Sequence, residues 1–306
     1  MKKRTMIYSA LVVVGLIIAG ISFSSGTISA IAWHNHRFET VDYVKETKKV
    51  TGIHNVNIAV KSADVVLETG VEAKAEWTAD KNHPIKVDVS NGTLNVTAEK
   101  GDAMIFGIIE TTPTIKITLP KEKLETVNIM NTYGDVSVTD IKAKVSVIQV
   151  KSGDLDIAAV KLTDDLTITQ TYGDIQIDNS SAKQLRITSE SGDIDSTKNA
   201  FNEAQISSRY GDVTFKESDL TALTLEASSG DIKVLNSVLA GVSHISNQYG
   251  DIKISTKNAV GLTIDTAYGD VKVNGKNYNG SYQKTTTKNN QLTIENKSGD
   301  VKVDTN

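Results

Sequence analysis

Nine aspartates, each directly preceded by a glycine, have the most regular spacing of any potentially reactive residues in this sequence. They are Asp135, Asp154, Asp174, Asp193, Asp212, Asp231, Asp251, Asp270 and Asp300. The intervals between them are 19, 20, 19, 19, 19, 20, 19 and 30 residues. If the copies stack as neighbouring strands, at ~4.8 Å per step, their ionised carboxylates repel one another unless another group compensates them.

Two kinds of partner could compensate these carboxylates. Each aspartate could accept backbone N–H bonds within its own turn, while the preceding glycine takes the positive φ of the corner. Alternatively, the nine aspartates could bind calcium, as in β-rolls where Gly and Asp also recur. The sequence favours the turn, because it lacks the doubled glycines and short period of those rolls, and calcium needs roughly 6–8 oxygen ligands. We therefore predict no metal site and no cofactor.

The residue before each glycine is either tyrosine or serine. In chain order this column reads Tyr133, Ser152, Tyr172, Ser191, Tyr210, Ser229, Tyr249, Tyr268 and Ser298. Large and small side chains alternate through the first seven copies. The steric interpretation is that each tyrosine covers the small residue of its neighbour, and tyrosine is common at such half-buried positions. The functional interpretation is an aromatic ladder that stacks on the sugar rings of a glycan.

Four lysines occupy one further column, three residues after the glycine in the later copies. They are Lys233, Lys253, Lys272 and Lys302, whereas the same column carries Asp156 and Asp195 in earlier copies. Lysines on β-surfaces commonly serve solubility and edge protection. The functional alternative is a basic stripe that contacts an anionic wall polymer or lipid headgroups.

The repeat that contains these columns predicts the fold. Five residues before each glycine stands Ile or Leu, and apolar residues recur two and four positions after it, alternating with polar ones as in a strand. A β-propeller needs roughly 40 residues per blade, which is twice the observed period. We predict an all-β fold, a parallel β-solenoid (β-helix) with coils of about 19 residues, right-handed by the crossover rule.

The predicted domain covers residues 51–306. Residues 127–306 hold the nine Gly-Asp repeats, and 51–126 are predicted to form atypical coils and a cap. Lys61–Val65 resembles a degenerate first corner with Ala63 in place of glycine. The polar insertion at 274–291, within the interval of 30, is expected to cover the far edge of the sheet.

The N-terminus has the features of a membrane-targeting segment. Lys2, Lys3 and Arg4 precede an apolar run that continues without charge through Ala32, longer than the roughly 20 residues that a bilayer requires. We predict a single-pass anchor in residues 1–32, with membrane contact through 6–32, a linker at 33–50 and the domain outside the cell membrane. The alternative is a signal peptide cleaved near Ala32, which would release a secreted protein.

Composition and the absence of known motifs reduce the number of possible functions further. The chain lacks cysteine, and its 33 basic and 37 acidic residues leave a net charge of −4. This balance argues against a general nucleic-acid binder. The sequence also has no GxSxG elbow, Walker loop or HExxH motif, so we do not predict an enzyme.

Several segments resemble a known bacterial family. The Val56–Ile58 strand, the Gly92–Val96 run, the Thr114–Pro120 run and the Gly-Asp copies are similar to the "putative adhesin" β-strand repeat domain of unknown function. That domain occurs in membrane-anchored LiaG-like proteins of cell-envelope stress systems. The resemblance covers roughly residues 50–306 and implies a surface-exposed β-helix in envelope sensing, adhesion or protection.

The sequence thus favours a non-enzymatic, membrane-anchored, extracytoplasmic β-helix that binds or senses envelope components. The partner could be a cell-wall polymer, a membrane lipid or an envelope protein. Two alternatives remain, a glycan-active enzyme on a β-helix scaffold and a structural surface spacer. The candidate contact surface comprises the five tyrosines Tyr133, Tyr172, Tyr210, Tyr249 and Tyr268 together with the four lysines.

Overall fold

The computed structural model describes residues 31–34, 37–40, 42–81, 83–98, 104–106, 113–285 and 289–305, and all its regular elements are strands. Within this part of the chain, no helix is long and apolar enough to cross a membrane. The predicted anchor lies almost entirely outside the described residues. The strands are β1 (Ile31–His34), β2 (Arg37–Thr40), β3 (Tyr43–Lys49), β4 (Asn55–Ser62), β5 (Asp64–Thr69), β6 (Lys74–Asp80), β7 (Ile85–Ser90), β8 (Thr93–Ala98), β9 (Met104–Phe106), β10 (Thr114–Leu119), β11 (Lys123–Tyr133), β12 (Val136–Thr139), β13 (Lys142–Ser152), β14 (Leu155–Ala158), β15 (Lys161–Leu162), β16 (Asp165–Tyr172), β17 (Ile175–Asp178), β18 (Ser181–Ser191), β19 (Ile194–Thr197), β20 (Ala200–Tyr210), β21 (Val213–Lys216), β22 (Asp219–Thr221), β23 (Leu223–Ser229), β24 (Ile232–Ala240), β25 (Val242–Tyr249), β26 (Ile252–Thr256), β27 (Gly261–Val273), β28 (Lys276–Lys284), β29 (Gln291–Ser298) and β30 (Val301–Thr305).

Successive repeats pair in parallel with a shift of one repeat length. In β16 and β18, for example, Ile168 lies opposite Ile187 and Thr169 opposite Thr188. The short strands after each Gly-Asp corner pair in the same way, as β17 does with β19. Each repeat is therefore one coil of a β-solenoid, and every coil hydrogen-bonds to the coils on either side of it.

The apolar columns form one continuous core. The column five residues before each glycine is 0–3% exposed throughout. It consists of Ile129, Ile148, Ile168, Ile187, Ile206, Leu225, Ile245, Ile264 and Ile294. Neighbours such as Thr169 and Thr188 point outward and are exposed. The inward and outward faces predicted from the alternation are thus confirmed.

The last two coils do not stack in sequence order. Strands β29 and β30 of the final repeat pair with β25 and β26 on one side and with β27 on the other. The spatial order of the coils therefore departs from the chain order at this end of the solenoid. The final Gly-Asp copy lies between the copies at 250–251 and 269–270.

A tight hairpin explains this insertion. Asn274 and Gly275 join β27 to β28 and both have positive φ, 47° and 81°, as a two-residue type I′ turn requires. The chain therefore reverses directly after β27, and β28 pairs antiparallel along its outer edge. Only the inner edge of β27 is left for the final repeat. Tyr278 and Tyr282 of the hairpin pack together, with ring centroids 4.6 Å apart, and contact the core. The insertion covers the far edge, as expected.

The opposite end is closed by strands that do not belong to the repeat. The first coil consists of β4 and β5, joined at Ala63, and its corner accepts hydrogen bonds from the next coil. Beyond it, β8 and β10 pair in parallel with β4 and β5, while β7, β6 and β3 add antiparallel. Tyr43–Lys49, within the predicted linker 33–50, is therefore an edge strand of the domain. Strands β1, β2 and β9 form a separate three-stranded sheet.

Candidate ligand-binding surface

The Gly-Asp corner brings consecutive coils so close that a side chain on the glycine has no room. Gly192 has φ +127°, and a Cβ atom added to it would lie 1.8 Å from the carbonyl oxygen of Gly173. The corner glycines from Gly134 to Gly250, and Gly299, share this conformation, with φ between +115° and +139°. Glycine is thus required at this corner by its backbone conformation and by the contact between coils.

The aspartates after these glycines form an unbroken aspartate ladder. From Asp64 to Asp300, Oδ1 of each carboxylate accepts the backbone N–H of the aspartate in the next coil at 2.8–3.0 Å. In spatial order the ladder runs Asp64, Asp135, Asp154, Asp174, Asp193, Asp212, Asp231, Asp251, Asp300 and Asp270. The expected bond within each turn is therefore wrong, because the bond joins neighbouring coils. Within the described ranges, no group of three or more His, Asp or Glu residues is arranged to hold a metal ion.

A row of buried polar side chains lies beneath the corner. In the column three residues before each glycine, the amides of Asn131, Gln170, Asn247 and Asn296 donate to corner carbonyls at 2.8–3.1 Å. Sequence reasoning missed this row. The signal was present, because polar residues recur in a column whose alternation assigns it to the interior.

The tyrosines and serines that precede the glycines alternate without exception in space. Parallel pairing sets Tyr133 between Ser62 and Ser152, and the alternation continues coil by coil to Tyr249. The final repeat then places Ser298 between Tyr249 and Tyr268. We call Tyr133, Tyr172, Tyr210, Tyr249 and Tyr268 the tyrosine ladder. The irregularity in chain order disappears because the last two coils exchange places.

Four of the five side chains of the tyrosine ladder have nearly the same exposure. The four tyrosines with a serine coil on both sides are 51–55% exposed, whereas Tyr268 of the outermost coil is 75% exposed. The difference shows that side chains of neighbouring coils cover part of each ring. At two coils per tyrosine, the rings repeat every ~9.6 Å and the ladder extends ~38 Å. The structure therefore provides a regularly spaced row of aromatic side chains, each exposed over at least half of its surface.

The surface beside the tyrosine ladder is polar with balanced charge. The guanidinium carbon of Arg209 lies 5.4 Å from the ring centre of Tyr210, and Nζ of Lys297 lies 5.9 Å from that of Tyr249. Arg209 also forms an ion pair with Glu190. A shallow groove of about 320 Å³, lined by residues that include Gln248 and Lys297, lies on this face near the last tyrosines.

The four lysines are adjacent in space. The order is Lys233, Lys253, Lys302 and Lys272, each directly opposite the next. They border a groove of about 390 Å³ whose other side is formed by four carboxylates of the aspartate ladder. The surface is therefore a lysine column beside an aspartate column, and its lysines are not an isolated basic stripe.

An ion pair at the Lys233 end of this groove shifts the pKa values of both of its partners. Burial raises the pKa of Asp212, but the hydrogen bonds from Lys233 and from the backbone of Asp231 outweigh it, so the pKa is lowered overall. The Lys233 ammonium lies 2.9 Å from Asp212, and this bond raises its pKa. Toward the N-terminal coils the lysine column is replaced by Asp156 and Asp195, whose pKa values are raised by burial and by neighbouring aspartates. The tyrosine ladder is accordingly the more regular candidate for a binding surface.

Comparison with known proteins gives a family and a set of related structures. The family model described as Toastrack DUF4097 matches residues 53–304. A "putative lipid binding protein" from Parabacteroides distasonis ATCC 8503 is 14% identical, with a TM-score of 0.50 over 85% of this chain and 96% of that chain. A "putative adhesin" from Bacteroides fragilis NCTC 9343 is also 14% identical, with a TM-score of 0.43 over 87% and 97% of the two chains. A search of curated proteins gave no match. The resemblance found in the sequence is confirmed for the domain.

Proposed function

This chain belongs to the Toastrack DUF4097 family, and from that premise we propose that it is a non-enzymatic, membrane-anchored protein that binds cell-envelope polymer outside the cytoplasmic membrane. The observation that carries the proposal is the tyrosine ladder. A purely steric column needs each tyrosine to cover its neighbour, and these rings still leave about half of their surface exposed. A long polymer whose repeating groups stack on aromatic rings can bind several of these regularly spaced tyrosines at once.

The proposed location follows from the N-terminal sequence. A basic tip followed by an uncharged stretch through Ala32 is long enough to anchor the chain with its domain outside. The related structure with a TM-score of 0.50 is named as a lipid-binding protein, and a role in binding envelope components agrees with that name. Proteolysis of intact cells tests the location. Digestion of the domain from outside, with the protein remaining in the membrane fraction, supports the anchor, whereas recovery in the medium with an N-terminus at Trp33 supports cleavage.

Binding is tested with the full-length protein in detergent micelles. We expect it to sediment with purified cell-wall sacculi, and the double variant Tyr172→Ala/Tyr210→Ala to lose most of this binding. The matched control is Val71→Ala/Val242→Ala, which removes exposed apolar side chains elsewhere, since these valines are 98% and 69% exposed. Equal sedimentation of the two double variants would contradict the proposal.

The same assay separates the alternatives. Release of soluble sugar fragments from the sacculi would indicate a glycan-active enzyme. Sedimentation with lipid vesicles but not with sacculi would indicate a lipid ligand. Absence of binding to either, with the variant proteins folded, would favour a structural spacer.

A further inference from the structure

We propose that the polymer on the tyrosine ladder is an extended, uncharged polysaccharide of β-1,4-linked pyranose rings. Its chain lies parallel to the solenoid axis, and every second sugar stacks on one tyrosine. This inference rests on the proposed function and assigns its ligand.

The spacing of the rings carries the argument. Because tyrosines occupy alternate coils, their rings recur every ~9.6 Å, twice the separation of hydrogen-bonded strands. In an extended β-1,4-linked glycan, alternate sugars have the same orientation, and the disaccharide repeat is only slightly longer than this distance. A ligand with that repeat stays close to register over neighbouring tyrosines, whereas helical α-1,4-linked glycans lose the match after one or two rings.

The serines provide the complementary half of the repeat. Ser191 lies between Tyr172 and Tyr210, and Ser298 between Tyr249 and Tyr268. A small hydroxyl side chain leaves space for the intervening sugar and can hydrogen-bond to it. Tyrosine and serine alternate without interruption only in the spatial order of the coils. A ligand bound along the ladder contacts the coils in that same order.

The exposure of the tyrosines agrees with a ligand whose sugars stack on one face of each ring. Tyr133, Tyr172, Tyr210 and Tyr249 differ by only four percentage points in exposure, from 51% to 55%. Rings with such similar exposure present a uniform platform along the ladder. Tyrosine also loses little conformational freedom on binding, because it has few rotatable bonds.

Charge favours a neutral polymer. The aspartate ladder runs beside the tyrosines, two residues further along each coil, and places one carboxylate per coil next to the ligand path. In the N-terminal coils these carboxylates repel a polyanion, and in the last four coils the lysine column on their other side offsets their charge. On the other side of the ladder, the outward positions two, four and six residues before the nine glycines are occupied mainly by Ser, Thr, Gln and Asn. Their four cations and four anions cancel: Lys151, Arg186, Arg209 and Lys297 against Glu190, Glu226, Asp265 and Glu295.

The length of the ladder predicts how affinity depends on the length of the ligand. A chain of three sugars reaches two tyrosines, one of five reaches three and one of seven reaches four. Affinity should therefore rise in steps at three, five and seven sugars, with little change at four and six.

The experiment uses the full-length protein in detergent and measures binding of β-1,4-linked N-acetylglucosamine oligomers of two to seven units by calorimetry. The control ligands are α-1,4-linked glucose oligomers of equal length. We expect several-fold increases at the odd lengths and much weaker binding of the α-linked series. A smooth increase with length, or equal binding of both series, would overturn the assignment.

A swap variant tests the spacing at constant composition. Tyr172→Ser/Ser191→Tyr keeps the number of tyrosines on the ladder at five but moves one ring by a single coil. We expect this variant to bind the N-acetylglucosamine heptamer several-fold more weakly. Tyr172→Phe is the matched control, because it keeps the ring and its position, and should bind as the unmodified protein does. Thermal unfolding of each variant shows whether the fold is retained. If the swap variant is folded and binds the heptamer normally, the spacing is irrelevant and the inference is wrong.

The two proposals fail in different ways. Tyrosine-dependent sedimentation with sacculi, combined with no binding of the oligomers, would overturn the β-1,4-glycan and leave envelope binding in place. Loss of both results would overturn both proposals.

Discussion

Oδ1 of Asp251 accepts the backbone N–H of Asp300, 49 residues further along the chain, at 2.8 Å. Asp270 follows Asp251 in the sequence, yet it lies one coil further away and donates to Asp300 instead. The final repeat is thus an inner coil of the solenoid. Stability at this end depends on residues that a linear alignment of repeats would assign to the terminus.

Deletion of residues 289–306 should therefore disrupt more than one coil. It removes the partner of β27 and of β25 together with Leu292, Ile294, Val301 and Val303, all of which are 0% exposed. Substituting even one such residue by alanine costs about 2–5 kcal/mol. We expect hydrogen exchange to show loss of protection in β27 and β28 as well as a lower unfolding temperature. Retained protection in β27 would show that the final repeat is an outer coil.

Gly192→Ala should destabilise the protein by at least ~3 kcal/mol, because the new Cβ overlaps the carbonyl oxygen of Gly173 and the backbone has a positive φ. Gly275→Ala is the control for conformation alone, since Gly275 has φ +81° and no atom within 4 Å of the added Cβ. Its cost should be only about 1–2 kcal/mol. Urea unfolding followed by circular dichroism measures both. Equal costs would mean that close contact between coils does not constrain the corner.

Asp193→Asn should be tolerated and Asp193→Ala should not. The side-chain oxygen of asparagine can still accept the N–H of Asp212, which now lies 2.8 Å from Asp193 Oδ1. Alanine removes this bond, and because the bond is exposed to water the cost should be about 0.5–1.5 kcal/mol. Thermal unfolding with excess chelator separates this role from calcium binding. We expect no change on chelation, and a large loss that calcium restores would show that the aspartates hold a metal ion.

Neutralising Asp156 and Asp195 should stabilise the protein at neutral pH. Burial, followed by the charges of neighbouring aspartates, raises the pKa of both carboxyls in the folded state. The folded state then binds these protons more tightly than the unfolded state, so stability falls as the pH rises from the ordinary aspartate pKa of about 4 through the raised values. Asp156→Asn/Asp195→Asn should raise the unfolding midpoint at pH 7, and the gain should vanish below pH of about 4.

The matched variant for this pH series is Asp212→Asn. Its carboxyl has a lowered pKa, because the bonds from Lys233 and the Asp231 backbone outweigh burial. The Asp212 contribution is present above the ordinary aspartate pKa and is lost as the pH falls through the lowered value, so this variant should be less stable at pH 7. If Asp212→Asn and Asp156→Asn/Asp195→Asn change the stability at pH 7 in the same direction, the opposite pKa shifts assigned to these carboxyls are wrong.

The sequence alone determined the repeat, the inward columns and the need for glycine at the corner. These features are local, because strand alternation sets which side chains face the core and a corner has few allowed backbone conformations. Ile168 is buried and Thr169 exposed for this reason. The alternation of Tyr and Ser was visible as well, but it was interrupted in the chain order of Tyr249 and Tyr268.

Only the tertiary structure decided which coil is adjacent to which and where the aspartate carboxylates find their donors. All coils of a parallel solenoid present similar edges, so hydrogen bonding between strands does not by itself fix their order. The turn at Asn274 and Gly275 fixes it, because the hairpin occupies the outer edge of β27 and the final repeat can pair only with the inner edge. That order places Ser298 between the last two tyrosines and completes the ladder.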